Sequence, residues 1–293
     1  MNSAKQIQAD RPTLRNGPTP LALFGKLVRS QIFISLAGAS FFLAGLIQLG
    51  HQPTTAHWLR ALLVFASTAL VYNINNLIRK TGLERTVARL VRLIQQHALR
   101  SVSLAAVAGA VGFYMSYVWL GVEETLFLAV FGFLSLAYNF PDAIPFRKLR
   151  SLPLLKIFLI ALVWASTGAL YPALLTGKLG QPEINQLFWA EFLFIFAITL
   201  PFDIRDYYSD RQLQLLTIPG LIGTKNTKYL ALVSWLGFVV LAVSLGISPT
   251  GLALLSFLGV YAIVRSGAGR HALFYTGFID GLIILFSALL TFH

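Results

Sequence analysis

The apolar residues of this chain come in successive blocks of about 20, and that block length constrains the fold more than any other feature. An α-helix of about 20 residues matches the thickness of a bilayer's hydrocarbon core. Run length and breaker residues place the blocks at about 27–50, 58–78, 101–120, 122–140, 153–175, 187–203, 228–247, 250–266 and 272–292. In hydrocarbon every backbone amide must be bonded within the protein, which leaves helices or closed barrels, and uninterrupted apolar runs lack the alternation of barrel strands. The expected fold is therefore all-α, a polytopic membrane bundle of about nine transmembrane helices over residues 27–293. Residues 1–26, with Arg11-Pro12, Asn16-Gly17-Pro18 and Pro20, read as a flexible cytoplasmic tail. The first apolar block is too long for a signal-peptide core and further spans follow it, so it is expected to stay as an anchor.

Charge then sets orientation. A net charge of +12 with 56% hydrophobic residues would suggest nucleic acid only if the cations shared a soluble face. They do not. Of the 23 Lys and Arg, all but Arg60 and Lys178 fall on one side of a nine-span topology, in the tail and start of the first span and in the segments 79–100, 147–156, 205–228 and 265–270. The positive-inside rule accounts for that distribution without a nucleic-acid partner. It places the N-terminus and those loops in the cytoplasm and the C-terminus opposite, in a membrane expected to be a bacterial plasma membrane. With no Cys, thiolate metal sites and thiol nucleophiles are excluded, and the five His show no ligand spacing.

The most informative stretch is Pro201-Phe202-Asp203-Ile204-Arg205-Asp206-Tyr207-Tyr208-Ser209-Asp210-Arg211. Asp203, Asp206 and Asp210 are spaced i, i+3, i+7, which puts them on one helix face within about 60° of one another. Like charges on one face at a membrane edge call for a cation. Two sources remain open at this point: Arg205, Arg211 or nearby loop basics, or a divalent metal such as Mg²⁺, which takes one or two carboxylates and completes its shell with water and phosphate oxygens.

The stretch that follows, RQLQLLTIPGLIGTKNTKYL from Arg211, resembles the second motif region of the UbiA family of intramembrane prenyltransferases. There a D-x-x-D-x-x-x-D motif precedes a Thr-x-Pro-x-x-x-Gly-x-Lys loop, matched by Thr217, Pro219, Gly223 and Lys225. The segment from Tyr138 to Lys156, with Arg147, Lys148 and Arg150, is similar to that family's loop between helices four and five. The resemblance implies nine helices, Mg²⁺ as cofactor, a polyprenyl diphosphate as donor and a membrane-associated acceptor. It gives Asp203, Asp206 and Asp210 the role of metal ligands at the reacting diphosphate, and Arg147, Lys148 and Lys225 that of substrate contacts.

The first motif departs from the family pattern. Where an Asn followed by D-x-x-D-x-x-x-D is expected at the end of helix two, the chain reads Val71-Tyr72-Asn73-Ile74-Asn75-Asn76-Leu77-Ile78-Arg79-Lys80-Thr81. One register sets Asn73, Asn76 and Lys80 on the acidic positions. Another aligns Asn73 with the leading Asn and leaves Ile74, Leu77 and Thr81 there. Neither retains an Asp. An amide oxygen can ligate a cation but brings no charge, so a metal here would be held far more weakly. Asn73, Asn76, Arg79 and Lys80 read either as direct diphosphate contacts or as interhelical hydrogen bonds beside ordinary orientation anchors. Asp280 lies mid-span, a place where ionisable residues usually face the bundle interior, and is a candidate to line the site. Glu191 is expected near the outer interface and solvated. The reading that follows is a prenyltransferase with Mg²⁺-assisted diphosphate departure. The rivals are a catalytically degenerate member that binds an isoprenoid or anionic lipid without turnover and, motivated only by the two intramembrane carboxyls, a transporter.

Overall fold

The computed structural model describes residues 20–81, 118–135, 153–212 and 216–292, and among them it is helical with no strand. α1 (Pro20–Arg29) begins within the stretch expected to be tail, and Gln31 with φ 65° turns the chain into α2 (Ile32–Gln48). α3 spans Thr55–Thr81 and α4 spans Val118–Ser135. α5 runs from Pro153–Ala165 through a π turn at Ser166–Leu170 into Tyr171–Leu175. α6 is Pro182–Gln212, α7 is Ile218–Ala242 and α8 is Pro249–Arg265. α9 opens on a second π turn, Phe274–Ile279, and continues over Asp280–Thr291.

Five of these helices are long and apolar enough to cross a membrane, at Val118–Ser135, Leu155–Leu175, Pro182–Gln212, Ile218–Leu245 and Phe274–Thr291. The apolar helices Ile32–Gln48 and Pro249–Arg265 are shorter. The protein is an integral membrane helical bundle. The expected span at 101–120 lies outside the described residues. Gly121, where the third and fourth spans were expected to part, has φ +77°, a left-handed conformation that glycine adopts without strain.

The centre of the bundle is aromatic. Phe194 of α6 has its ring 4.7 Å from that of Phe286 (α9), 5.1 Å from Phe238 and 5.6 Å from Trp235 (both α7). Phe41 of α2 joins this group through Phe286 and, on the other side, Trp164 of α5. Every ring named is buried, so one cluster fixes five helices against each other.

Close backbone approach depends on glycine at one crossing. A Cβ on Gly45 of α2 would lie 1.7 Å from the Gly168 carbonyl oxygen, and one on Gly168 would lie 2.3 Å from Oε2 of Glu191. α2, the π turn of α5 and α6 meet there because two side chains are missing.

The two ends of the bundle differ. At one, Glu124 of α4 accepts from Arg60 of α3 through both oxygens at 2.7 Å and from the Tyr171 hydroxyl of α5 at 2.5 Å. Arg60 lies near the start of α3 and Tyr171 beyond the π turn of α5, so the end of α3 and the start of α5 share the opposite end.

Candidate functional site

That opposite end carries the three carboxylates of α6. Pro201 sits inside the helix, where it removes one backbone hydrogen bond, and the three carboxylates follow it. Asp203 is only 2% exposed, and its Oδ1 accepts from Lys156 Nζ of α5 at 3.4 Å. Arg205 grips its neighbour Asp206 with both arms of the guanidinium, Nε to Oδ1 at 2.7 Å and Nη2 to Oδ2 at 2.8 Å. The same guanidinium stacks over the rings of Phe202 at 5.3 Å and Tyr275 at 5.0 Å. Tyr275 is itself pinned: its hydroxyl donates to the Gly267 carbonyl at 2.7 Å and accepts from the Gly267 amide at 2.8 Å. Asp280, which opens the α-helical part of α9 just after the π turn, interacts electrostatically with Arg205. Asp210 is part-exposed at the last turns of α6 and is also engaged.

The protein therefore supplies cations to two of the three carboxylates, Lys156 for Asp203 and Arg205 for Asp206. Among the described residues no three His, Asp or Glu side chains approach closely enough to cage a metal. The donors at this end are oxygens on successive helical turns, the chemistry Mg²⁺ prefers, with a diphosphate and water left to complete its shell. The residues thus fit Mg²⁺ held by one or two carboxylates.

A cavity of about 390 Å³ lies between α2, α3, α4 and α5 and runs from Tyr171 at the Glu124 end toward Tyr72 and Ile160. Ile160, Val163, Trp164, Thr167 and Tyr171 line it from α5, and Tyr72 and Val71 from α3. Lys156 precedes Ile160 by one turn, so its position falls on the stripe 156, 160, 163, 164, 167, 171 that faces the cavity. The wall is mostly apolar, with Ser67, Thr68, Thr125 and Ser135 adding hydroxyls.

The other expected residues fall into three groups. Asn73 is exposed and donates from Nδ2 to the Ala69 carbonyl of its own helix at 2.8 Å. Asn76, Arg79 and Lys80 stand on the last turns of α3, with side chains outside what is described, and Arg147 and Lys148 lie outside the described residues. Lys225 is exposed, its ammonium over the Tyr229 ring at 5.9 Å. In the same loop motif, Gly223 has φ 80°, ψ 156° and kinks α7 one turn after Pro219, which explains why that position needs glycine.

Glu191 corrects the expectation of a solvated residue. It is 0% exposed, and among the described residues neither carboxyl oxygen has a hydrogen-bond partner. The start of α6 looked polar enough to be an interface, but the helix begins at Pro182 and carries Glu191 more than two turns inward, onto Gly168.

Sequence reasoning missed Lys156 as the partner of Asp203, since it counted that residue among the orientation-setting cations. The signal was present, because Lys156 interrupts an otherwise apolar run, PLLKIFLIALVWA. The cation–π clamp on Arg205 left no comparable signal, because Tyr275 is distant in sequence and its ring looks like any interface aromatic.

The profile of the UbiA prenyltransferase family matches residues 79–272. Comparison with curated proteins and with solved structures returned no match.

Proposed function

Because the chain belongs to the UbiA prenyltransferase family, we propose that it transfers a prenyl group from a polyprenyl diphosphate to a membrane-associated acceptor, at the end of the bundle where Asp203 meets Lys156. The observation that carries this reading is the shared stripe of α5: a charged pair at one end of a helix face and an apolar cavity along the rest. A diphosphate ester has the same two parts in the same order. Its head would lie against Lys156, Arg205 and the α6 carboxylates, its tail among Ile160, Val163 and Trp164.

Mg²⁺ held by Asp203 and Asp206 would offset the charge that builds on the departing diphosphate. Lys156 and Arg205, once turned from their carboxylates, are placed to bond the diphosphate oxygens. The allylic C–O bond breaks with its electron pair leaving on the diphosphate. The acceptor's nucleophilic atom then bonds to the allylic carbon and its displaced proton passes to solvent or base. The cavity walls keep water from the cationic carbon, and the Tyr72 and Trp164 rings offer it their electron-rich faces.

One observation favours a second reading, binding of an isoprenoid without turnover. Neither register of the first motif retains an Asp, and Asn73 is bonded back onto its own helix. The test is binding of geranylgeranyl diphosphate to protein in detergent, with Mg²⁺ and with EDTA, alongside Asp203→Ala. Saturable binding that requires both Mg²⁺ and Asp203 supports the diphosphate site, and an acceptor screen then separates transfer from storage. No binding by folded protein across short and long prenyl chains overturns it.

A further inference from the structure

A second cluster of charge lies where α7, α8 and the loop into α9 converge. Lys228 of α7 donates from Nζ to the Val264 carbonyl at 2.8 Å, and Arg270 donates from Nε to the Arg265 carbonyl at 3.1 Å. Lys228 is close enough to Arg265 and Arg270 to interact electrostatically with both. Two of the three thus cap the final carbonyls of α8, where the helix dipole favours cations. That role uses one donor of each and leaves two on Lys228 and most of the guanidinium of Arg270. Among the described residues none of the three is paired with a carboxylate.

The surface of α8 beneath this cluster is an apolar groove. Ser256, Phe257, Val260, Tyr261, Val264 and Arg265 line it, with Phe257 70% and Val264 50% exposed. Tyr261 packs edge-on against Phe274 and Phe278 of α9, and Arg270 lies over the Phe274 ring at 5.6 Å, so groove and cations are continuous. From Ser256 to Arg265 the groove rises about 13 Å, close to the roughly 15 Å of one leaflet's hydrocarbon.

We propose that the Lys228–Arg265–Arg270 cluster and the α8 groove below it form a binding site for one anionic phospholipid, with its phosphate on the cations and an acyl chain along Phe257, Tyr261 and Val264. Three clustered cations without carboxylates attract negative charge beyond the carbonyls that two of them cap, and the exposed apolar groove directly below suits hydrocarbon. A zwitterionic headgroup carries its own ammonium into the cluster and is disfavoured. A soluble phosphate leaves the groove unexplained. The site shares no residue with the α6 carboxylates and stands whether or not the protein transfers prenyl groups.

The test is lipid retention by the full chain, purified in detergent from mixed phosphatidylglycerol and phosphatidylcholine vesicles and read by native mass spectrometry. The wild type is expected to keep one phosphatidylglycerol about tenfold over phosphatidylcholine at low salt. That preference should fall several-fold at 0.5 M salt, a measurement that needs no substitution. Arg265→Gln with Arg270→Gln should bring the ratio near one, and Arg265→Lys with Arg270→Lys should restore most of it. Inorganic phosphate at millimolar concentration should leave the lipid in place. Equal retention of the two lipids by wild type, an unchanged ratio in folded double-Gln protein, or displacement by inorganic phosphate would overturn the proposal.

Discussion

The end of α3 and the end of α6 carry polar side chains at the same i, i+3, i+7 spacing at the same end of the bundle, yet they are satisfied in opposite ways. Asp203 reaches across to Lys156 on α5, and Asp206 draws in Arg205, which leans on Tyr275 of α9. Asn73 bonds to Ala69, one turn back on α3. Asp203 takes its countercharge from another helix, and Asp206 takes its own from the adjacent Arg205, which is held in turn by a ring of α9. An amide can be satisfied by its own backbone and binds nothing together. Replacing carboxylates by amides therefore removes more than a metal ligand, because it removes the reason for neighbouring helices to present cations.

The comparison breaks most sharply if α6 is made to resemble α3. Asp203→Asn with Asp206→Asn should weaken Mg²⁺-dependent geranylgeranyl diphosphate binding by about 100-fold in a radioligand assay, since charged partners at a phosphate site typically contribute a few kcal/mol. A smaller loss would mean that the head binds elsewhere. Next in size is Lys156→Gln, which leaves Asp203 buried without its cation. A loss of about 1–2 kcal/mol should appear as a fall of a few degrees in the detergent melting temperature, discounted because Lys156 is 54% exposed at its side chain. The reverse exchange, Asn73→Asp with Asn76→Asp, should strengthen Mg²⁺-dependent binding by about threefold to tenfold, as a second pair of charged oxygens becomes available. No gain in a folded variant would make the shared spacing a coincidence. Asn73→Ala alone should change binding by less than about twofold, because the bond it deletes is local and exposed.

Much of this was legible in the sequence because it depends on local period and charge. Block length gave the all-helical membrane bundle, and the 203–210 spacing located the carboxylates together with Arg205, which proved to hold one of them. The place of Glu191 near the start of the expected span pointed to the outer interface, and only the packing of Gly168 shows that it is enclosed. Lys156 stands out locally as a cation in an apolar run, but its pairing with Asp203 spans 47 residues and two helices, so no local pattern names the partner. The cavity likewise belongs to no segment, since four helices each contribute a stripe that reads separately as ordinary core.

The π turn at Ser166–Leu170 holds one residue more than an α-helical turn over the same path, so it absorbs that residue and the rest of α5 keeps the phase of the helix before it. An in-frame loss of a single codon there would leave hydropathy, charge and span length almost untouched. The turn would close to an ordinary α-helical one with Tyr171 still facing Glu124, whereas the same loss just outside the turn would swing Tyr171 by about 100° and unlatch α3 from α4 and α5 at that end. The same holds at Phe274–Ile279, where a loss inside the turn would leave Leu282, Phe286 and Leu290 in the core and a loss just beyond it would rotate them out. Within these two spans a single-residue deletion should be tolerated inside the π turn and not beside it, while at Gly168 even a small added side chain should not be.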